Sequence, residues 1–213
     1  MTEPYFQLPY FQEIRIKSEV VIVDSGGANL ASLRYAFERL GARTEVSADG
    51  STIASAERVV LPGVSTAADA MGRLRAAGLT NVVRTLTQPV LGICLGMQLL
   101  FRSSEEGPTE CFGLLPGTVR RLQVLPERPV PHTGWNQLQG RREDPLLEGI
   151  AAHEYMYFVH AYAAPVSEDT LASTDYGGPL SAVVRRGNFW GTQFHPERSG
   201  RTGARLLGNF LRL

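Results

Sequence analysis

From Glu19 onward the chain alternates short, unbroken apolar runs with stretches whose apolar residues recur every third or fourth position. VVIV (20–23) reads as a strand buried on both faces, and the small residues 25–28 read as a turn. Leu30, Leu33, Phe37 and Leu40 then share one helix face, with Gly41 where a C-cap belongs. RTEVS (43–47) and RVVLPG (58–63) read as two more strands, the second ended by Pro-Gly. Helical spacing returns in AADAMGRLRAAG (67–78) and TNVVRTL (80–86). PVLGIC (89–94) is a fourth strand, and residues 95–101 open another helix. This alternation predicts an α/β fold, a mostly parallel central sheet with helices on both faces.

After Cys111 the texture changes. GTVRRLQVL, VPHTGWNQLQ, EYMYFVHAYAA, TLASTDY and LSAVVRRGNFWGTQF are strand-like runs between Gly, Pro and Asp signals. They predict an antiparallel β extension of the sheet. A C-terminal helix then buries Leu206, Leu207, Phe210 and Leu211. With no internal repeat or low-complexity linker, residues 19–213 read as one domain and residues 1–18 as a poorly ordered N-terminal extension.

Composition narrows the function classes. The chain has 213 residues, enough for a full core, and 21 Lys plus Arg balance 21 Asp plus Glu. That balance argues against a nucleic-acid partner. No apolar stretch reaches the ~20 residues that span a bilayer. Pro4, Pro9, Glu3 and Glu13 spoil a signal peptide, so a cytoplasmic protein is expected. The two cysteines and four histidines are too few and wrongly spaced for a metal site. DSGGAN (24–29) lacks the spacing and lysine of a phosphate loop, so no nucleotide cofactor is expected.

The apolar run around Cys94 carries the first chemical signal. GICLG places the cysteine between Gly92 and Gly96, at the end of a predicted strand and the start of a helix. This is the thiol counterpart of the G-x-S-x-G elbow, where small neighbours let helix and strand approach. A buried, inert cysteine is the competing reading. A base decides between them, because a thiol of pKa about 8.5 is only a few per cent ionised at neutral pH.

GTQFHPERSG supplies that base. Pro196 biases His195 toward an extended backbone, so His195 and Glu197 are expected to project to the same side. The imidazole would take the thiol proton and the carboxylate would orient the ring. His132, His153 and His160 lack a carboxylate two residues on and read as structural, as does Cys111.

GICLGMQLL together with GTQFHPERS resembles the motif pair of class I glutamine amidotransferases. LPGV, LPGTVRRL, VPHTGWNQL and YFVHAY further resemble the glutaminase subunits of imidazole glycerol phosphate synthases, from about residue 20 to the C-terminus. The resemblance implies a flavodoxin-like fold and hydrolysis of glutamine to glutamate and ammonia by Cys94, His195 and Glu197. It implies an oxyanion hole from the backbone of Leu95 with Gly63 or Val64. Gln98 and the backbone near Ala161 and Tyr162 would hold the substrate. The implied partner is a (β/α)8-barrel cyclase subunit in a heterodimer, receiving ammonia and making imidazole glycerol phosphate and aminoimidazole carboxamide ribotide. Asn29, Trp135, Asn136 and Tyr157 would meet it, although Trp135 also reads as a core aromatic.

Two positions depart from the family pattern. Ser65 follows LPGV where a glycine is usual, and Ala28 stands where glycine is frequent. A Cβ makes positive φ costly, which leaves two readings of Ser65: altered activation, or an introduced substitution. Two other readings stay open: an amidotransferase subunit serving another ammonia acceptor, and an inactive regulatory subunit.

Overall fold

The computed structural model describes residues 19–24, 26, 30–63, 65–124, 126–140 and 142–213. The expected extension, residues 1–18, lies outside them, as do Ala28, Asn29 and Val64. The first half runs β1 (Glu19–Val23), α1 (Leu30–Arg39), β2 (Arg43–Ser47), α2 (Gly50–Ser55), β3 (Arg58–Leu61), α3 (Ala67–Ala76), α4 (Leu79–Arg84), β4 (Val90–Ile93) and α5 (Leu95–Leu99). The second half is β5 (Phe101–Ser104), β6 (Thr109–Glu110), β7 (Leu115–Arg121), β8 (His132–Gln137), β9 (Tyr155–His160), β10 (Tyr162–Ala163), β11 (Thr170–Asp175), β12 (Pro179–Arg186), β13 (Phe189–Thr192) and α6 (Gly200–Phe210).

Among the described residues, a seven-stranded sheet has the order β11-β12-β13-β4-β3-β1-β2. From β2 to β13 every neighbouring pair is parallel. Read in chain order these five strands are 2-1-3-4-5, the flavodoxin-like doubly wound order. β12 and then β11 extend the sheet antiparallel at the β13 edge. Successive side chains of β1 enter different cores: Val20 and Ile22 join α1 and α6, Val21 and Val23 join α2, α3 and α4. All four are fully buried, and each such side chain contributes about 1.5–3 kcal/mol.

The helix break expected at Gly41 takes a definite form. Gly41 has φ 86, its N–H donates to the Glu38 carbonyl, and the Ala42 N–H donates to that of Phe37. This is a Schellman cap, which needs a left-handed residue at that point.

The structure differs from expectation at three points. Most of the remaining strands do not extend the main sheet: β10, β7, β5 and β6 form a second sheet, and β8 with β9 a separate ribbon. Phe101, Leu115 and Val119 bury against the α3–α5 side, which lays the second sheet over the helices. The helix after Cys94 ends at Leu99, because the chain at 112–115 donates to the carbonyls of Leu99, Leu100 and Phe101. α2 buries one side chain, Ile53, too little for a periodic signal; the Asp49 carboxylate caps it by accepting from the Thr52 N–H at 2.7 Å.

Candidate active site

β4 lies between β13 and β3, and Cys94 follows it directly. Cys94 has φ 54 and ψ −112, a left-handed backbone rare for a side chain with a Cβ. Its N–H donates to the Thr192 carbonyl at 2.7 Å, which ties the elbow to β13. The flanking glycines are explained by packing. A Cβ on Gly96 would stand 1.8 Å from the Leu61 carbonyl oxygen, and one on Gly92 2.7 Å from that of Gly96. Strand β3, the elbow and the short helix can touch only without those atoms.

His195 and Glu197 reach the same place from the end of β13. His195 is extended, as Pro196 requires, but residues Pro196–Arg198 form a 3-10 turn. The expected extended register from His195 to Glu197 is therefore replaced by a turn, which brings the carboxylate back. Glu197 Oε1 lies 2.9 Å from His195 Nδ1, and the Cys94 thiol, which donates to the Val159 carbonyl at 3.6 Å, is near enough to His195 to act on its pKa. The imidazole pKa is raised to about 10. Burial opposes the charge and is the largest single influence, but the bonds and negative charge of Cys94 and Glu197 outweigh it. His195 is thus an imidazolium at neutral pH. The His195 N–H donates to the Tyr157 carbonyl, and the Ser199 hydroxyl donates to the His195 carbonyl at 2.7 Å, so the backbone is clamped on both sides.

A cleft of about 430 Å³ opens over this group. Of the residues singled out in the sequence, Gly63, Cys94, Leu95, Gln98, Ala161, Tyr162, His195 and Glu197 all line it. Leu95 is the first residue of α5, so its N–H has no partner within the helix. Gln98 is buried, and its amide nitrogen donates to the Tyr162 carbonyl at 2.7 Å and to Gln193 Oε1 at 3.0 Å. Trp135, Asn136 and Tyr157 lie away from the cleft on the β8–β9 ribbon. Trp135 is 55% exposed, against its reading as core, and stacks edge-on against its cross-strand partner Tyr157 at 5.8 Å. The Asn136 amide turns inward to the Asp175 carbonyl at 2.8 Å.

Ser65 also lines the cleft, with φ 80. Its hydroxyl accepts from Arg73 Nη2 at 2.7 Å, so helix α3 holds the strained residue in place. Sequence reasoning missed Gln193 and the contact between His132 and His160. Gln193 is fully buried and its amide nitrogen lies 3.9 Å from the Cys94 sulfur. A polar residue inside the apolar run before His195 was the available signal. Among the described residues no cluster of three His, Cys, Asp or Glu side chains could hold a metal, and no helix is long and apolar enough to cross a membrane.

The profile of the family Glutamine amidotransferase class-I matches residues 21–213, and the chain belongs to that family. Solved structures agree on the fold: a crystal structure of a glutamine amidotransferase superposes with a TM-score of 0.70 at 21% identity, over 91% of this chain and 97% of that one. Within the family the chain is 54% identical to "Imidazole glycerol phosphate synthase subunit HisH" of Xanthomonas euvesicatoria pv. vesicatoria (strain 85-10), over 92% of this chain and 98% of that protein. It is 53% identical to the subunit of the same name from Xanthomonas axonopodis pv. citri (strain 306), with the same coverage. It belongs with these HisH subunits, and it is an enzyme subunit of the glutamine amidotransferase kind.

Proposed function

We propose that the chain hydrolyses glutamine at Cys94 and hands the ammonia to a cyclase subunit of imidazole glycerol phosphate synthase. The observation that carries this is the Glu197 carboxylate bonded to His195, with Cys94 held on a strained backbone in the same cleft. The Cys94 thiolate attacks the side-chain amide carbon of glutamine, and the carbonyl electrons move to oxygen. The N–H of Leu95, with one from Gly63 or Val64, stabilises that oxyanion; one such donor is worth about 2.7–4 kcal/mol. The intermediate collapses to a thioester as the His195 imidazolium protonates the departing ammonia. His195 then takes a proton from water, the hydroxide adds to the thioester, and glutamate leaves as the thiolate returns.

Gln98 and the backbone near Ala161 and Tyr162 hold the glutamine. Asn29, Trp135, Asn136 and Tyr157 form the docking face for a (β/α)8-barrel cyclase in a heterodimer. Ammonia passing through the barrel escapes protonation in water and yields imidazole glycerol phosphate and aminoimidazole carboxamide ribotide in histidine biosynthesis. The catalytic domain is residues 19–213, preceded by the extension 1–18, and the reaction belongs in the cytoplasm. No cofactor takes part in this scheme.

The test is glutamate release by the full chain, alone and with the cyclase and its nucleotide ligand, with Cys94→Ala as control. Strong stimulation by the liganded cyclase is expected. Activity indifferent to the cyclase would favour a different ammonia acceptor, and none in either state, with the complex formed, an inactive regulatory subunit.

A further inference from the structure

Two buried histidines have no part in the scheme above. His132 begins β8 and His160 ends β9, opposite each other in the ribbon. His132 Nδ1 lies 3.0 Å from His160 Nε2, and His160 Nδ1 lies 2.9 Å from the Tyr162 carbonyl oxygen. Asn136 Nδ2 stands 3.3 Å from His132 Nε2. Burial lowers the His160 pKa to about 3, helped by repulsion from His132, and that of His132 to about 4, so both rings are neutral at pH 7.

The direction of each bond follows from the chemistry of its ends. A carbonyl oxygen only accepts, so His160 carries its proton on Nδ1. Its Nε2 is then bare and accepts from His132 Nδ1, which leaves His132 Nε2 to accept from the Asn136 amide. Donors run in one direction, from Asn136 through His132 and His160 to the Tyr162 carbonyl. That carbonyl also accepts from Gln98. Val159, His160, Ala161 and Tyr162 make one wall of the cleft, and the Ala161 carbonyl is held by the Leu122 N–H at 2.9 Å.

We infer that His132 is a positioning residue for the substrate: it locks the His160 tautomer that holds the Tyr162 carbonyl, and so sets the wall that receives the amino-acid end of glutamine. This rests on the proposed role of Ala161 and Tyr162. Without the His132 donor, His160 is free to carry its proton on Nε2, which turns a lone pair against the Tyr162 oxygen. The wall then loosens at Ala161 and Tyr162 while His195 and Glu197 keep their contact. His132 is stacked against Phe158 at 5.0 Å and Tyr176 at 3.9 Å, so a substituted ring can retain that packing.

The test uses the full chain with its cyclase and two thiol reagents: the diazoketone analogue of glutamine, which has the amino-acid end, and iodoacetamide, which lacks it. His132→Phe keeps a ring and removes the donor; His132→Asn returns an amide N–H near the Nδ1 position. In His132→Phe, diazoketone labelling of Cys94 should slow by about 5–10-fold, the loss of one hydrogen bond, with iodoacetamide labelling unchanged. KM for glutamine should rise more than kcat falls, and His132→Asn should recover most of the loss. Unchanged diazoketone labelling in His132→Phe, or an equal fall with both reagents, would overturn the inference. A wild-type protein that shows no preference for the glutamine-shaped reagent would remove the glutamine reading itself, and this inference with it.

Discussion

The Glu197 carboxylate lies 2.9 Å from Nδ1 of His195, two residues away, because a 3-10 turn folds the chain back on itself. The imidazole and the carboxylate beside it therefore come from one short segment. That segment is clamped by the Tyr157 carbonyl and the Ser199 hydroxyl, and the latter also accepts from the Tyr157 N–H at 3.0 Å. The backbone of Tyr157 thus holds His195, while its side chain packs beside exposed Trp135 on the proposed docking face.

Glu197→Gln keeps the size of the side chain and removes the charge that supports the imidazolium. Steady-state glutaminase kinetics should show kcat lower by roughly 10²–10⁴-fold, the usual span for a disturbed general acid–base group. KM should change little, because the carboxylate faces the histidine. An unchanged kcat would exclude Glu197 from the reaction.

The proton on His195 links stability to pH. The pKa stands at about 10 in the folded chain against an ordinary 6.5. The stabilisation is therefore complete below about 6.5 and is lost as pH rises through about 10. Thermal melts should show Tm falling between pH 7 and pH 10. Cys94→Ala removes one raising partner and should flatten that fall; equal slopes would show that the two groups are not coupled.

Gly96→Ala puts a methyl group 1.8 Å from the Leu61 carbonyl, on backbone that cannot yield cheaply. Denaturant titration should show a loss at or above the ~1–3 kcal/mol usual for overpacking. Gly208→Ala in α6 is the control, with its nearest neighbour the Arg212 guanidinium at 3.9 Å. It should gain about 0.5–1 kcal/mol from helix propensity.

Ser65 separates strain from hydrogen bonding. Ser65→Ala keeps the strained φ and loses the Arg73 contact, so it should cost about 1 kcal/mol. Ser65→Gly loses the same contact but relieves about 1–2 kcal/mol of left-handed strain, which leaves stability near wild type. Equal losses in urea unfolding would mean that the backbone at Ser65 carries no strain.

Trp135→Ala removes a half-exposed indole. The Tm of the isolated chain should barely move, while the Kd for the cyclase should rise roughly 30-fold, as for an aromatic anchor worth about 2 kcal/mol. Unaltered affinity would move the docking face elsewhere.

The parallel core was legible in sequence because β1, β3 and β4 are apolar on both faces and α1 carries a clean periodic face with its cap at Gly41. The elbow was legible for a related reason: GICLG and HPE are local patterns whose spacing constrains the backbone directly. α2 was not, since six residues with one buried side chain leave no period to read. The destination of the later strands was not legible either. Alternation marks a strand, but it does not say which edge or face that strand will join.

The sequence by itself therefore determined the doubly wound core and the thiol at its carboxyl edge, and singled out His195 and Glu197 as the proposed base and acid. Only the tertiary structure decided how Glu197 turns back to His195, that Trp135 faces outward, and that Gln193 and His132 stand behind the cleft wall that His160 helps to form. Those relationships join residues from separate strands, and a hydrogen bond's direction depends on which acceptor the fold brings within about 3 Å.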